Sequence, residues 1–258
     1  MPVRDAPLLT IIIATRNAAG VLPGALESLV AQDGADFELI IIDGASTDTT
    51  PQVARAWEGR FAPDRFTLIS EPDHGIYDAF NKGLARARGR YLAFLGADDR
   101  YLPGALAAVA EATSDGADAV AGAYNVIDAQ GHAAKKLPRP EFTTQRLPRS
   151  MPTNHQALFL RTELVRQVGG FDPSYKIAGD YELFLRLAPL HLDWRFVREA
   201  LVDFKLGGTS YALRDTAREY RDAKLAVGEN PIGAELVYLR NLVAATIARA
   251  RSSHELEC

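Results

Sequence analysis

The chain has 258 residues, 33 of them acidic and 29 basic, which gives a formal net charge of −4. This weak acidic excess argues against a general nucleic-acid-binding protein, because such proteins usually carry a basic excess, so we expect no nucleic-acid partner. Apolar residues make up 47% of the chain, ample for a core, and the single cysteine excludes a disulfide framework or a zinc-finger spacing.

Apolar runs and amphipathic segments alternate in the first half of the chain. Continuous apolar, β-branched runs predict strands at Leu8–Ala14, Phe37–Asp43, Phe66–Ser70, Arg90–Leu95 and Asp118–Val126. Periodic apolar positions predict helices at Val21–Gln32, from Thr47 or Asp48 to about Trp57, at Ile76–Ala87 and at Leu102–Thr113. This β-α order predicts an α/β fold with a mainly parallel central sheet and helices on both faces.

The second half of the chain is less regular. Residues 135–152 are rich in proline and basic side chains and predict an irregular connection. Beyond it we predict helices at Arg161–Val168 and Asp180–Leu187, strands at Trp194–Val197 and Ala200–Phe204, and helical structure from Arg214 with a break near Gly228–Pro231.

Three polar clusters directly follow predicted strands: Thr15-Arg16-Asn17, Asp43 and Asp98-Asp99. Because ligands of such sheets bind beyond the carboxyl ends of the strands, we predict the binding site at this edge. Two adjacent carboxylates can divide their contacts between a divalent cation and a ribose hydroxyl, since Mg²⁺ and Mn²⁺ prefer oxygen ligands. Aspartate is also common in polar turns, so the pair by itself leaves that alternative open.

The other candidate side chains each have a structural alternative. Asp43 can accept a hydrogen bond from a nucleobase, or it can shape a turn with Gly44. Arg16 can stack on a base or pair with a phosphate, or it can be a solvated loop residue. Asp180 can deprotonate an attacking hydroxyl or cap a helix.

Two further residues, His155 and Lys205, are weaker candidates. His155 lies in Asn154-His155-Gln156, and a single histidine is more often structural than catalytic. Lys205 precedes a glycine pair and can reach a phosphate, or it can be a surface lysine. A dinucleotide-binding glycine fingerprint after the first strand and a Walker A loop are both absent from the sequence.

Taken in order, seven segments resemble the family 2 glycosyltransferases, which have the GT-A fold. They are IIIATRNA (Ile11–Ala18), ELIIIDGASTDTT (Glu38–Thr50), EPDHGIYDAFNKGLARARGRYLAFLGADD (Glu71–Asp99), NHQALFLR (Asn154–Arg161), GGFD (Gly169–Asp172), AGDYELFLRL (Ala178–Leu187) and LGGTS (Leu206–Ser210). The DHGIYDAFNKG segment resembles bacterial members that build cell-surface polysaccharides.

The resemblance implies roles for particular residues. Asp43 would bind the nucleobase within a nucleotide site that includes Thr15, Arg16 and Asn17, Asp98 would contact the ribose, and Asp99 would ligate the metal. Asp180 matches the catalytic base. Lys82 lies where members place a basic residue toward the donor, although an i,i+4 pair with Asp78 explains it equally. His155 and Lys205 lie in segments that line the acceptor or diphosphate side. Arg16 stands where many members have an aromatic residue.

The implied activity is transfer of a single sugar from a nucleotide-diphosphate donor to an acceptor hydroxyl, with inversion and with Mn²⁺ or Mg²⁺ as cofactor. UDP is the first expectation for the donor nucleotide, with GDP or dTDP as alternatives. The acceptor would be a saccharide or a lipid-linked saccharide in bacterial surface polysaccharide or glycolipid biosynthesis. The Gln-x-x-Arg-Trp motif of processive synthases is absent from the sequence, which favours single transfer.

We predict a catalytic domain over residues 1–210, with a donor half to about 127 and an acceptor half from 128, and a helical appendage over 211–258. Without a signal peptide or a membrane-spanning run, a cytoplasmic protein is expected. Ala234–Arg251 predicts an amphipathic helix that either lies on the cytoplasmic face of the inner membrane or packs on protein, including a second copy in a homo-oligomer.

Two other functions fit parts of the sequence. A non-catalytic module that binds sugar nucleotides would share the donor site, but it would not need Asp98, Asp99 and Asp180 together. A sugar nucleotidyltransferase also has an α/β nucleotide-binding core. Its first loop is of the G-x-G-[ST]-R type, which the Ala14-Thr15-Arg16-Asn17 loop does not resemble.

Overall fold

The computed structural model describes residues 6–145, 148–206, 213–240 and 242. The strands are β1 (Leu9–Thr15), β2 (Phe37–Asp43), β3 (Phe66–Ser70), β4 (Tyr91–Phe94), β5 (Arg100–Tyr101), β6 (Ala119–Ile127), β7 (Ala133–Lys136), β8 (Leu158–Arg161) and β9 (Trp194–Lys205). The α-helices are α1 (Leu22–Val30), α2 (Thr50–Ala56), α3 (Ile76–Leu84), α4 (Ala105–Ala112), α5 (Thr162–Gln167), α6 (Gly179–Leu187) and α7 (Leu213–Ala226). Short 3₁₀ turns include His155–Ala157.

All of these strands join one sheet, in the order β3-β2-β1-β4-β8-β6-β9-β5, with β7 paired to β6. The β3-β2-β1-β4 part is parallel, as is the β6/β9 pair. The insertion of β8 between β4 and β6 is antiparallel on both sides. Because the chain runs from β1 to β2 and β3 and then returns to the other side of β1, the strand order reverses between β1 and β4. Such a reversal opens a crevice at the carboxyl ends of the strands.

The apolar runs of the first strands explain why they occupy the centre of the sheet. β1 and β2 are buried along almost their whole length, since both faces of the sheet are covered. One apolar cluster lies between the sheet and α1 and α4, and includes Leu22, Leu26 and Val109. The other lies between the sheet and α3, α5 and α6. The predicted fold class, an α/β sheet covered by helices, is therefore confirmed.

The second half of the chain differs from the predicted elements in three places. The two strands predicted near the end of the sheet form one strand, β9, whose pairing with β6 shifts register twice, between Gly122 and Ala123 and between Ala123 and Tyr124. Arg161 ends a strand rather than beginning a helix, and α5 starts at Thr162. Part of the connection predicted to be irregular forms β7, at residues 133–136.

The predicted helix from Arg214 corresponds to α7, and the predicted break lies at Gly228, which has a φ of +86°. Residues 231–240 are helical, and Leu236 and Leu239 are exposed there. The rest of the predicted amphipathic helix to Arg251 lies outside the described residues apart from Leu242, so its docking stays a prediction. None of the helices in the described ranges has the length and apolar character that a bilayer span requires.

Candidate active site

The loop after β2 is organised around Asp43, which is fully buried. Its Oδ1 accepts hydrogen bonds from the hydroxyls of Thr15, at 3.2 Å, and Ser46. Its Oδ2 accepts from the Ser46 backbone N–H, at 3.0 Å, and from the Ser70 hydroxyl, at 2.7 Å. Asp43 therefore links the carboxyl ends of β1, β2 and β3. Both of its carboxylate oxygens accept hydrogen bonds from protein donors.

The residues predicted to follow β1 have different environments. Thr15 is buried against Asp43, whereas Arg16 is exposed at the rim of the sheet. Asn17 has a φ of +51° and hydrogen-bonds the loop after β1 to the loop after β2. Its backbone N–H donates to the Ser46 hydroxyl at 2.8 Å, and its Oδ1 accepts from the Thr47 N–H at 2.9 Å. Of this triplet, Arg16 is the side chain left open to a ligand.

Asp73 lies directly over Gly44, a juxtaposition that the sequence does not reveal. A Cβ built on Gly44 would lie 2.2 Å from Asp73 Oδ2. Asp73 Oδ1 accepts the Gly75 backbone N–H at 3.0 Å, which orients the carboxylate. Asp73 is half-buried. The absence of a side chain at Gly44 therefore makes room for a carboxylate at the carboxyl end of β2.

Lys82 holds the loop that carries Asp73. Its ammonium lies 3.2 Å from Glu71 Oε1 and 3.6 Å from Asp78 Oδ2, the i,i+4 partner that the spacing also suggested. It also donates to the carbonyl of Pro72. These contacts hold the Lys82 side chain within its own loop, so we do not assign it a contact with the sugar-nucleotide donor.

Asp98 and Asp99 converge over Gly96 at the end of β4. A Cβ on Gly96 would lie 2.2 Å from Asp99 Oδ2, 3.2 Å from Asp98 Oδ1 and 3.1 Å from Gln156 Nε2. Glycine at this position therefore keeps open a small cradle of polar atoms. The cradle is lined by two carboxylates from adjacent residues, as the sequence predicts, and by an amide that it does not.

Asp99 is 2% exposed, and this burial raises its pKa to about 6. The Lys205 backbone N–H, which donates to Oδ1 at 2.7 Å, opposes that rise, while Asp98 adds to it. Lys205 ends β9 and its side chain is exposed. Its contact with the cradle is made by the backbone N–H. A buried carboxylate whose charge is this poorly compensated suits a cation.

The His155–Ala157 turn links the cradle to Asp180. Gln156, 3% exposed, donates through its side-chain amide to Asp99, and its Oε1 has no hydrogen-bond partner in the described structure. The preceding residue, His155, points the other way, with Nδ1 3.5 Å from Asp180 Oδ2. Asn154 Oδ1 caps the turn by accepting the Gln156 N–H at 3.0 Å. One short turn therefore contacts both predicted functional carboxylates.

Asp180 lies in the first turn of α6, whose N-cap is Ala178. Its Oδ1 accepts the Tyr181 backbone N–H at 2.8 Å, and its side chain is 23% exposed. Desolvation lowers the pKa of His155, against an opposing effect of the Asp180 carboxylate. A partly exposed carboxylate beside an imidazole is an arrangement that can accept a proton from a bound hydroxyl.

A cleft of about 230 Å³ opens beside Asp180. Its walls include three aromatic side chains, Tyr124, Phe204 and Tyr220, together with Arg139. Aromatic faces bind the apolar faces of flat or ring-shaped ligands, and their polar ends remain available for hydrogen bonds. The cleft therefore has the lining expected for a ring-shaped molecule whose hydroxyl meets Asp180.

The donor set of the cradle suits a divalent metal that shares its shell with a phosphate. Within the described residues, no group of three or more His, Cys, Asp or Glu side chains could hold an ion. Mg²⁺ and similar ions are commonly held by one or two carboxylates with substrate phosphates and water in the other positions. Asp99, with Asp98 beside it over Gly96, provides that protein share.

The sequence profile described as "Glycosyl transferase family 2" matches residues 10–169. A "PGL/p-HBAD biosynthesis glycosyltransferase" of Mycobacterium tuberculosis is 36% identical over 187 residues, which is 70% of each chain. The matched profile contains β1 to β8 and the cradle, whereas α6 with Asp180 lies beyond it.

Two solved structures share this fold at low sequence identity. S. aureus TarS 1–349 in complex with UDP-GlcNAc has a TM-score of 0.68 at 17% identity, over 91% of this chain and 71% of that one. The mannosyltransferase PcManGT from Pyrobaculum calidifontis, in complex with GDP-Man and Mn²⁺, has a TM-score of 0.68 at 21% identity, over 96% and 76%. The family match shows that the chain is a family 2 glycosyltransferase, and the two structural likenesses show that it has the GT-A fold.

Proposed function

We propose that this protein is an inverting, metal-dependent glycosyltransferase that transfers one sugar from a nucleoside-diphosphate donor to an acceptor hydroxyl. The observation that carries the proposal is the His155–Ala157 turn, which contacts Asp99 through Gln156 and faces Asp180 through His155. The turn thus has the proposed diphosphate site on one side and the proposed base on the other. The anomeric carbon of a bound donor would lie between these two sites.

In this proposal Asp99 would hold Mn²⁺ or Mg²⁺, which supplies positive charge to the leaving diphosphate, and Asp98 would contact the ribose. Asp180 Oδ2 takes the proton of the acceptor hydroxyl. The hydroxyl oxygen forms a bond to the anomeric carbon, and the bond from that carbon to the phosphate oxygen breaks with its electron pair on the diphosphate. A single displacement inverts the anomeric configuration. His155 holds Asp180 in place beside the cleft.

The acceptor side of the proposal rests on the aromatic cleft. Tyr124, Phe204 and Tyr220 suit the apolar face of a sugar ring, and Asp180 lines the same cleft. A saccharide or lipid-linked saccharide fits this lining. The mycobacterial relative carries the name of a PGL/p-HBAD biosynthesis glycosyltransferase. We accordingly propose a role in bacterial surface polysaccharide or glycolipid biosynthesis.

Proton NMR of donor cleavage tests the reaction type. Full-length protein is incubated with UDP-, GDP- and dTDP-sugars and Mn²⁺, with water as the acceptor, and the anomeric signals are followed before mutarotation. The first sugar released should have the opposite anomeric configuration to the donor, and EDTA should suppress cleavage. Release with retention would overturn the inverting mechanism, and cleavage unaffected by EDTA would overturn the metal dependence.

For nucleobase contact we assign Asp73 in place of Asp43. Asp43 is engaged by four protein donors, whereas Asp73 Oδ2 lies over Gly44 at the same edge of the sheet. A carboxylate accepts from the imide N–H of uracil or thymine, or from the equivalent lactam N–H of guanine, and cytosine and adenine have no ring N–H on this edge. Arg16, exposed nearby, can stack on the base.

Asp73→Ala should therefore weaken binding of the preferred imide-bearing nucleotide. A lost hydrogen bond to a charged group costs about 1.5–3 kcal/mol, or roughly 10- to 100-fold in Kd. Calorimetric titration with UDP, GDP, dTDP and CDP in Mn²⁺ measures it, and CDP should be little affected. Asp172→Ala is the matched control, because Asp172 Oδ1 accepts the N–H of Ser174, two residues on, at 2.9 Å in the same type of turn. An unchanged preference for imide bases would contradict the assignment.

A further inference from the structure

The turn before α6 is bound by a carboxylate from the C-terminal part of the chain. Three successive backbone N–H groups, those of Lys176, Ile177 and Ala178, donate to the side chain of Glu219 in α7. The Lys176 N–H lies 3.0 Å from Oε1, and the Ile177 and Ala178 N–H groups lie 2.8 Å from Oε2. Consecutive N–H groups form a concave anion site, and bonds to a charged acceptor are about twice as strong as neutral ones.

The same turn is held from its other side by α3. The Tyr77 hydroxyl donates to the Ile177 carbonyl at 2.7 Å. The Tyr77 ring also packs on Gly179, where a Cβ would lie 2.7 Å from its nearest ring carbon. The turn is therefore fixed between α3 and α7, and Asp180 is the second residue after it.

A ring contact continues this attachment into α6. Tyr220, next to Glu219, stacks on Tyr181, next to Asp180, with ring centroids 4.0 Å apart and planes inclined by 12°. Tyr220 also lines the cleft beside Asp180. Two neighbouring residues of α7 thus contact the backbone before Asp180 and the side chain after it.

We propose that Glu219 is a positioning residue for the transfer reaction, and that α7 completes the acceptor side of the site through it. Glu219 fixes the turn over residues 176–178, which sets the place of Asp180 against the acceptor hydroxyl. This inference rests on the proposed role of Asp180 as the base. α7 lies beyond the residue range that the family profile matches, so the contact of Glu219 with the turn comes from outside the matched part of the chain. A misplacement of about 1 Å in such a group can cost on the order of 100-fold in rate.

Glu219→Ala and Glu219→Gln in the full chain test the proposal, with Asp215→Ala as the matched control. Asp215 is on the same helix, is half exposed, and among the described residues forms an ion pair with Arg218 alone, at 3.1 Å. Hydrogen–deuterium exchange reports on the peptide that contains the 176–178 amides. Donor cleavage and calorimetric nucleotide titration, with the UDP-, GDP- or dTDP-sugar that the wild-type protein cleaves, report on turnover and donor affinity.

Glu219→Ala should speed exchange of the 176–178 amides and lower turnover, each by about tenfold or more, with donor Kd within about twofold of wild type. Glu219→Gln keeps one acceptor oxygen for Ile177 and Ala178, so its values should lie between wild type and alanine. Asp215→Ala should match wild type in all three measurements.

Three results would overturn the proposal: unchanged exchange in Glu219→Ala, faster exchange with unchanged turnover, or equal losses of turnover and donor affinity, which mark a general structural effect. Failure of the wild-type protein to cleave any donor counts against the proposed function instead. The exchange measurement then still decides whether Glu219 fixes the turn.

Discussion

Asp180→Asn should lower the rate of sugar transfer by about 100-fold or more while leaving donor affinity unchanged. Asparagine has the same shape and can keep the hydrogen bond from the Tyr181 N–H, which Asp180 Oδ1 accepts at 2.8 Å. It cannot take a proton from the acceptor hydroxyl. Steady-state kinetics with the wild-type donor, together with calorimetric titration of the nucleotide, separate the two effects.

Asp172→Asn provides the control for this substitution, because it exchanges the same groups at an exposed loop position. Its rate should equal that of the wild type. Near-normal turnover in Asp180→Asn would remove Asp180 from the mechanism. A parallel loss of donor affinity would instead show that the residue supports the fold of the donor side.

Asp99→Asn should abolish metal-dependent nucleotide binding and yet stabilise the metal-free protein at neutral pH. Asp99 is buried and its pKa is raised to about 6, above the usual value of 3.8 for aspartate. The folded state therefore holds the proton more tightly than the unfolded state. The contribution of Asp99 to the free energy of unfolding is full below about pH 4 and is lost as pH rises to about 6. The loss is up to about 3 kcal/mol, at 1.36 kcal/mol for each pKa unit.

The asparagine variant does not titrate, so the difference in melting temperature between variant and wild type should grow from pH 4 to pH 6 and then level off. The Lys205 N–H can still donate to Oδ1, and the Asn amide can donate to Gln156 Oε1, which has no partner among the described residues. Thermal unfolding in EDTA across this pH range measures the effect. A variant that is less stable than wild type at pH 7 would contradict the account of a buried, poorly compensated charge.

The sequence predicts the parallel core and the edge that carries the site because both depend on local patterns. The apolar runs of β1 and β2 predict their burial, and the carboxyl ends of β2 and β4 predict the places of Asp43 and Asp98-Asp99. The two carboxylates of the cradle lie together because Asp98 and Asp99 are adjacent in the chain. Asp180 is placed in the first turn of a helix by its glycine and the apolar residues after it.

The contacts that organise the site are long-range, and no periodicity encodes them. Gln156 reaches Asp99 from a turn 57 residues on, and Glu219 reaches Ile177 across 42 residues. Asp73 meets Gly44 only because two loops cross at the end of β2. β5 has two residues, Arg100 and Tyr101, too few for a pattern, and it exists because β9 provides a partner.

β9 is a second feature that the local sequence pattern does not predict. Arg198 and Glu199 interrupt the apolar alternation, so the pattern predicts two strands where the structure has one strand with two register shifts. A bulge absorbs the two polar residues while the ladder to β6 continues. The consequence is functional, since β9 then reaches Lys205, whose backbone contacts Asp99.

The central claim is that this chain holds a nucleoside diphosphate through a divalent metal at Asp99. The most direct test is the melting temperature of the full chain with UDP, GDP, dTDP or CMP, each with Mn²⁺, Mg²⁺ or EDTA, for wild type and Asp99→Asn. A ligand that binds only the folded state raises stability by RT ln(1 + [L]/Kd). We predict a metal-dependent rise with one nucleoside diphosphate that the variant loses. No rise with any nucleotide–metal pair, or an equal rise in both proteins, would contradict the claim.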